Sequence, residues 1–178
     1  MIRFFSLSVL TVSLPVLAGL AALAFMPAQA QQIGADCQSP ALPGVDWHRC
    51  YLDDKPLPGV DLTGARLRET RLIRANLSAA VLDKVDARRA KFMRALAPKA
   101  RFHDADLREA DFTRANLEGA DLTGADLRRT RFFKANLRRA NLTGARLGNT
   151  DILDADLTGA TWTNGTYVCG PGSIGQCK

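Results

Sequence analysis

From Val60 to Asn164 the chain repeats one five-residue pattern of apolar and polar positions twenty-one times without an insertion. The third position is Leu, Ile, Phe or Trp in 19 of the 21 pentads, Ala87 and Ala97 being the exceptions. The first position is Ala in 16 of the 21, otherwise Val or Thr. The second, fourth and fifth positions hold most of the Asp, Asn, Arg, Thr and Gly. A repeat of five matches neither the helical nor the strand period. Two apolar residues two apart lie on one side of an extended segment. The next Ala follows three residues later, so each pentad contains one residue that turns a corner. The pattern therefore predicts a coil of short sides and regular corners, with the Ala and Leu columns inside.

A slower period sets the number of sides. Phe92, Phe112 and Phe132 are twenty apart, as are Arg68, Arg88, Arg108 and Arg128, and also Arg74, Arg94, Arg114 and Lys134. Asn76, Asn116 and Asn136 fall in one further column. Like residues recurring at twenty predict four pentads per turn, with turns stacked at about 4.8 Å. Asp46-Trp47 and Tyr51-Leu52 keep the same phase, so degenerate repeats begin near Val45. About six turns result.

The stretch "ANLEGADLTGADL" at 115–127, and the A-[DN]-L-x-x pattern generally, resemble the pentapeptide-repeat family. The resemblance implies an all-β, right-handed quadrilateral β-helix, a solenoid of about six turns. The ending "ATWTNGTYVCGPGSIGQC" at 160–177 also resembles that of some exported members. The chain departs from the pattern at "ALAPK", 95–99, where Leu96 takes an outward slot and Pro98 lacks a backbone donor. A pinch or bulge is expected in the turn 80–99.

The start of the chain has another character. Residues 1–30 combine Arg3, a long apolar run and Ala28-Gln29-Ala30, the signature of a signal peptide cleaved before Gln31. The apolar run is also long enough to span a bilayer, so a retained anchor is the alternative. The expected organisation is a signal peptide at 1–30, an N-terminal cap with a disulfide and degenerate repeats at 31–59, the repeat β-helix at 60–164, and a C-terminal cap with a disulfide at 165–178. Export to the periplasm or outside the cell means an oxidising space in which cysteines pair. Cys37 and Cys50 lie near one end of the coil and Cys169 and Cys177 near the other. Six turns span about 29 Å, far beyond the Cα separation of about 7 Å that a disulfide tolerates. Only Cys37–Cys50 with Cys169–Cys177 is compatible with that length. Trp47 and Trp162 fall at inward positions near opposite ends and read as lids over the open column.

Catalytic chemistry finds little support. His48 sits near Cys50, and His103 occupies an outward slot. No metal-ligand spacing, nucleophile elbow or phosphate-cradling loop occurs. No catalytic, metal-binding or cofactor-binding residue is assigned and no cofactor is expected; an enzyme or enzyme-associated domain with an unrecognised site is the alternative reading.

The outward columns carry more information. The face centred on Leu67, Ala87, Leu107 and Leu127 stacks four arginines, but Asp86, Asp106 and Asp126 stand beside them and the fifth positions alternate in sign. It reads as a self-neutralising lattice. The next face, centred on Leu72, Phe92, Phe112, Phe132 and Ile152, carries outward Ile73, Met93, Thr113, Phe133 and Leu153 beside Arg74, Arg94, Arg114 and Lys134. Counted from Arg71 to Asp154 its outward charge is +4, against −2 on the opposite face. An apolar stripe with a basic edge reads as a contact surface. The candidate partner-binding residues are Ile73, Arg74, Met93, Arg94, Arg114, Phe133 and Lys134. The expected partner is a protein or an anionic envelope component, or a second copy of the chain in a two-fold homodimer. Some members of the resembled family are acidic mimics of DNA that bind topoisomerases; the net charge of +6 fits that poorly. Nucleic acid fits poorly too, without aromatic interleaving or a recognition helix. No membrane span is expected after signal cleavage. The chain is thus read as a non-catalytic structural or binding module of the cell envelope.

Overall fold

The computed structural model describes residues 36–178. The expected signal peptide and Gln31 lie outside the described residues. From Asp46 to Thr161 the backbone forms isolated parallel bridges between residues twenty apart, beginning Asp46↔Arg66, Tyr51↔Arg71, Pro56↔Asn76, Asp61↔Val81 and continuing in this order. Every bridged residue is the second of its pentad. The sides are too short to form strands: one bridged residue is followed by a turn.

Within the coil four of the five backbone N–H groups of a pentad, the first, second, third and fifth, donate to backbone carbonyls. Arg66 N donates down to Val45 O at 2.8 Å, while Leu67 N and Glu69 N donate up to Asp86 O and Arg88 O at 2.7 and 2.9 Å. Thr70 N closes the corner onto Leu67 O at 3.1 Å. The fourth-position N–H is turned away from the ladder, and an Asp or Asn at the second position accepts it where one is present; at Ile73 and His103 the acceptor is Asp53 or Asp83 of the turn below. Thr113 N donates to Asp111 Oδ1 at 2.9 Å and Thr143 N to Asn141 Oδ1 at 3.1 Å. That bond is why Asp and Asn recur at the second position.

The same accounting explains "ALAPK". Leu96 offers no acceptor, and Pro98 presents no N–H that would need one. The expected pinch or bulge is absent: bridges Val81↔Arg101, Asp86↔Asp106, Lys91↔Asp111 and Leu96↔Asn116 run straight through the turn. Ala87 and Ala97 are fully buried. Space is filled instead by Phe92 and Phe102, whose rings meet edge-on with centroids 6.2 Å apart. Small residues on two sides make room for large rings on the others. Ala97→Leu should therefore overpack the column and cost about 1–2 kcal/mol, read as a lower urea midpoint; a higher midpoint would mean vacant space there.

The corner residue is the fifth. Among the described residues all seventeen non-glycine residues with positive φ, from Arg49 to Asp154, occupy it, at φ between 54° and 60°. For L-residues this conformation costs on the order of 1 kcal/mol each. Glycine at Gly64, Gly124 and Gly144 escapes the cost, at φ near 70°.

The core is one column. Phe92, Phe112 and Phe132 stack, with centroids 4.5 and 5.3 Å apart. Thr70, Thr130 and Thr150, the threonines at the first position, donate inward to Trp47 O, Leu107 O and Leu127 O at 2.6–2.7 Å. At the lower end Cys37 and Cys50 are bonded, with Cα atoms 5.4 Å apart. Trp47 is 4% exposed, and its indole N–H donates to Ser39 O at 3.2 Å. At the upper end the chain folds back through antiparallel bridges Thr161↔Val168 and Asp156↔Ile174. Cys169 and Cys177 are bonded there, with Cα atoms 4.9 Å apart. This return covers the 155–162 part of the edge. Trp162 stays half-buried beneath it, and Leu147 and Ile152 remain only partly covered.

Candidate binding surfaces

Coil geometry places the seven candidate contact residues in two adjacent columns, as their spacing requires, but with a different character from the expected one. Ile73, Met93 and Phe133 are half-buried, and only Leu153, 60% exposed, stands clear. Turns stacked at about 4.8 Å let each side chain shelter the next. The stripe is therefore not a free apolar surface.

The charge of this face is also smaller than counted from Leu72 upward. The coil continues one turn lower, bringing Asp53 and Asp54 beneath the basic residues. Arg71 Nη2 reaches Asp53 at 2.6 Å with its guanidinium 5.1 Å from the Tyr51 ring centroid. Arg74 donates through Nε and Nη2 to Asp54 at 2.7 and 2.5 Å. Lys134 Nζ lies 5.0 Å from the ring centroid of Phe133. Among the described residues Lys91, Arg94, Arg114 and Lys134 of this face have no carboxylate within 4.0 Å, and of these Arg94 and Arg114 are the exposed corner guanidiniums.

The preceding face holds more than a neutral lattice. Arg88 donates through Nε and Nη2 to Asp86 at 2.7 and 2.6 Å; Arg108 does so to Asp106 and Arg128 to Asp126 at 2.6–2.8 Å. On the corner column Arg49 donates to Glu69 and Arg89 to Glu109, both at 2.9 Å. Between the two columns runs a groove of about 480 Å³, lined by Arg68, Arg88, Arg108 and Arg128 on one wall and Glu69, Arg89, Glu109 and Arg129 on the other, with Gly148 and Asn149 at its upper end. Its lining holds six arginines and two glutamates; with Asp86, Asp106 and Asp126, which bond three of those arginines, the excess is one positive charge. Arg68 has no carboxylate within 4.0 Å among the described residues. The expected pairs of Asp86, Asp106 and Asp126 with the stacked arginines form; what spacing does not reveal is that Arg68 lacks such a partner and that a groove separates the two columns.

These bonds set a pH dependence. Hydrogen bonds from Arg49, Arg89 and Arg128 hold Glu69, Glu109 and Asp126 below their ordinary values. A carboxyl depressed in the folded state stabilises the fold above its unfolded value, about 4, and loses that contribution as pH falls through the folded value. The melting temperature should be level above about pH 5 and decline below about pH 4; a melting temperature independent of pH down to about pH 2 would show the lattice to be thermodynamically silent.

Chemistry beyond binding has little material. His48 Nδ1 lies 2.7 Å from Asp46 Oδ1, and His103 Nδ1 3.4 Å from Asp104 Oδ2, on different faces. Among the described residues no three His, Cys, Asp or Glu converge on a metal-sized position. No helix among them is long and apolar enough to cross a membrane.

Comparison with known proteins follows the same repeat. A family model described as pentapeptide repeats matches residues 59–96, 100–139 and 135–161, with eight copies. No curated protein matches the chain. Among solved structures, a pentapeptide repeat protein from the thylakoid lumen of Arabidopsis thaliana is 32% identical, covering 60% of this chain and 68% of that one at a TM-score of 0.41. HetL, a pentapeptide repeat protein involved in heterocyst differentiation regulation from the cyanobacterium Nostoc sp. strain PCC 7120, is 31% identical, covering 69% and 70% at a TM-score of 0.33. QnrB1, a plasmid-mediated fluoroquinolone resistance protein, is 19% identical, covering 68% and 74% at a TM-score of 0.33.

Proposed function

Because this chain belongs to the pentapeptide-repeat family, we propose that it is an exported, non-catalytic binding scaffold that engages an anionic partner of the cell envelope. The contact is centred on Arg94 and Arg114, with Ile73, Met93 and Phe133 as its partly sheltered apolar flank and Arg74 and Lys134 at its ends. The observation that carries this reading is the pair of exposed guanidiniums without carboxylate partners, one turn apart on a backbone ladder. Such a ladder holds cations in fixed register and so steers and orients an acidic surface at little entropic cost. The bonded cysteine pairs at both ends support an oxidising compartment. The basic surface speaks against mimicry of DNA, which needs a continuous negative one.

The test is capture of envelope proteins by the immobilised chain, compared with the Arg94→Glu/Arg114→Glu variant. Capture by the unaltered chain should weaken with added salt and fall at least about tenfold in the variant, the equivalent of one or two ion pairs. Equal capture by both proteins would remove this surface from consideration. A mass that rises with concentration and withstands salt would point instead to self-association through the same face.

A further inference from the structure

The groove beside that face has a register of its own. Its first wall offers one guanidinium per turn, Arg68, Arg88, Arg108 and Arg128, over three turn heights or about 14 Å. Its second wall alternates glutamate and arginine, so a cation recurs there only every second turn. The groove therefore repeats every two turns along a straight line. In Arg88, Arg108 and Arg128 the internal aspartate occupies Nε and Nη2, leaving the donors of Nη1 unclaimed by it. Arg68 keeps its whole fork.

A ligand matched to this pattern is a straight polymer whose charges advance by one turn height. An extended acidic peptide presents one face every second residue, about 6.7 Å, and falls out of step within two turns. A polyphosphate or single-stranded nucleic acid does not turn its charge from one edge to the other with each unit, and so would set charge against Glu69 and Glu109. Aromatic platforms for bases are also missing from the lining. A 1,4-linked uronate ribbon suits both walls. Each pyranose ring of such a ribbon advances the chain by slightly more than one turn height, and successive sugars are flipped, so carboxylates and hydroxyls alternate on either edge. Carboxylates on one edge would meet arginine, and the hydroxyls between them would donate to Glu69 and Glu109, each of which keeps acceptor capacity beside its bond from Arg49 or Arg89. We propose that the groove between the Arg68–Arg128 column and the Glu69–Arg129 column binds a linear acidic polysaccharide of alternating, two-fold ribbon form.

The test uses polymannuronate as probe against the immobilised, disulfide-bonded chain at about 0.15 M salt, where a Debye length of about 8 Å separates the two faces, with neutral dextran, polyglutamate and oligothymidylate as comparators. Polymannuronate should bind at least about tenfold more tightly than polyglutamate or oligothymidylate at equal charge, and dextran should not bind. Arg68→Glu/Arg129→Glu should weaken polymannuronate binding at least about tenfold, while Arg94→Glu/Arg114→Glu leaves it within about twofold. Arg68→Gln, which orphans no carboxylate, guards against a folding defect and should also weaken binding, at an unchanged melting temperature. Three results would overturn the proposal: no binding of polymannuronate, equal binding of the other polyanions, or binding indifferent to the Arg68 substitutions. The two arginine-reversal pairs lie on different surfaces, so failure here leaves the reading of Arg94 and Arg114 intact.

Discussion

Replacing Phe112 with alanine is expected to lower the free energy of unfolding by about 4 kcal/mol. Phe112 is fully buried and touches three other rings. It stacks on Phe92 at 4.5 Å and 5°, on Phe132 at 5.3 Å and 18°, and meets Phe102 edge-on at 5.8 Å. In a globular core a vacated ring can be partly replaced by side chains from several directions. Here the neighbours above, below and across are fixed by a bridge at every fifth residue, so the site collapses poorly and the cavity cost approaches its full value. The stack is also what couples lower turns to upper ones, since each turn contacts only its neighbours. Urea unfolding followed by circular dichroism should show a lower midpoint for Phe112→Ala and a broader transition as the two halves lose cooperativity. Phe112→Leu restores the commonest residue of the column and should recover most of the loss. A Phe112→Ala midpoint equal to that of the unaltered chain would mean that the ring does not fill the lumen.

Removing the lower disulfide by Cys37→Ala/Cys50→Ala should cost about 3 kcal/mol. Its separation of thirteen residues gives that figure from loop-closure entropy. The upper bridge, with a separation of eight, gives slightly less, about 2.6 kcal/mol. The lower pair matters for a further reason: Cys50 is fully buried and its bond holds Ser39, the acceptor of the Trp47 indole, over the end of the column. Melting with and without a thiol reductant reads both bridges together, and the two double variants separate them. If reduction leaves the melting temperature unchanged, the ends are held by the backbone ladder alone.

Much of this molecule is legible in its sequence because a solenoid converts spacing directly into neighbourhood. The twenty-residue recurrence of Phe92, Phe112 and Phe132 is enough to place the three rings in one column. The length of the coil is enough to pair the cysteines. What spacing does not reveal is conformation at single residues. Arginine and lysine at the fifth position carry no mark of a left-handed backbone, because their propensity is overridden by the ladder on both sides. Nor do Leu96 and Pro98 look like partners until the fourth-position N–H is known to be the one that a second-position Asp or Asn accepts. The binding surfaces were harder for two physical reasons. Ile73, Met93 and Phe133 are outward by phase yet sheltered by their vertical neighbours. Asp53 and Asp54, outside the regular repeats, cancel charge that the repeats alone appear to leave free.

The corner at every fifth residue limits how such a chain can change its length. One added amino acid finds no place in a side and must bulge outward as a loop, because the downstream leucines keep their own phase. A five-residue insertion keeps the lumen closed but rotates the upper portion by a quarter turn, so that the wall of arginines would break and resume on the adjoining side. Only a whole circuit of twenty residues lengthens the tube and its charged walls together. Growth by duplication is thereby quantised, and a variant one circuit longer would carry one more cationic rung for a polymer to grip.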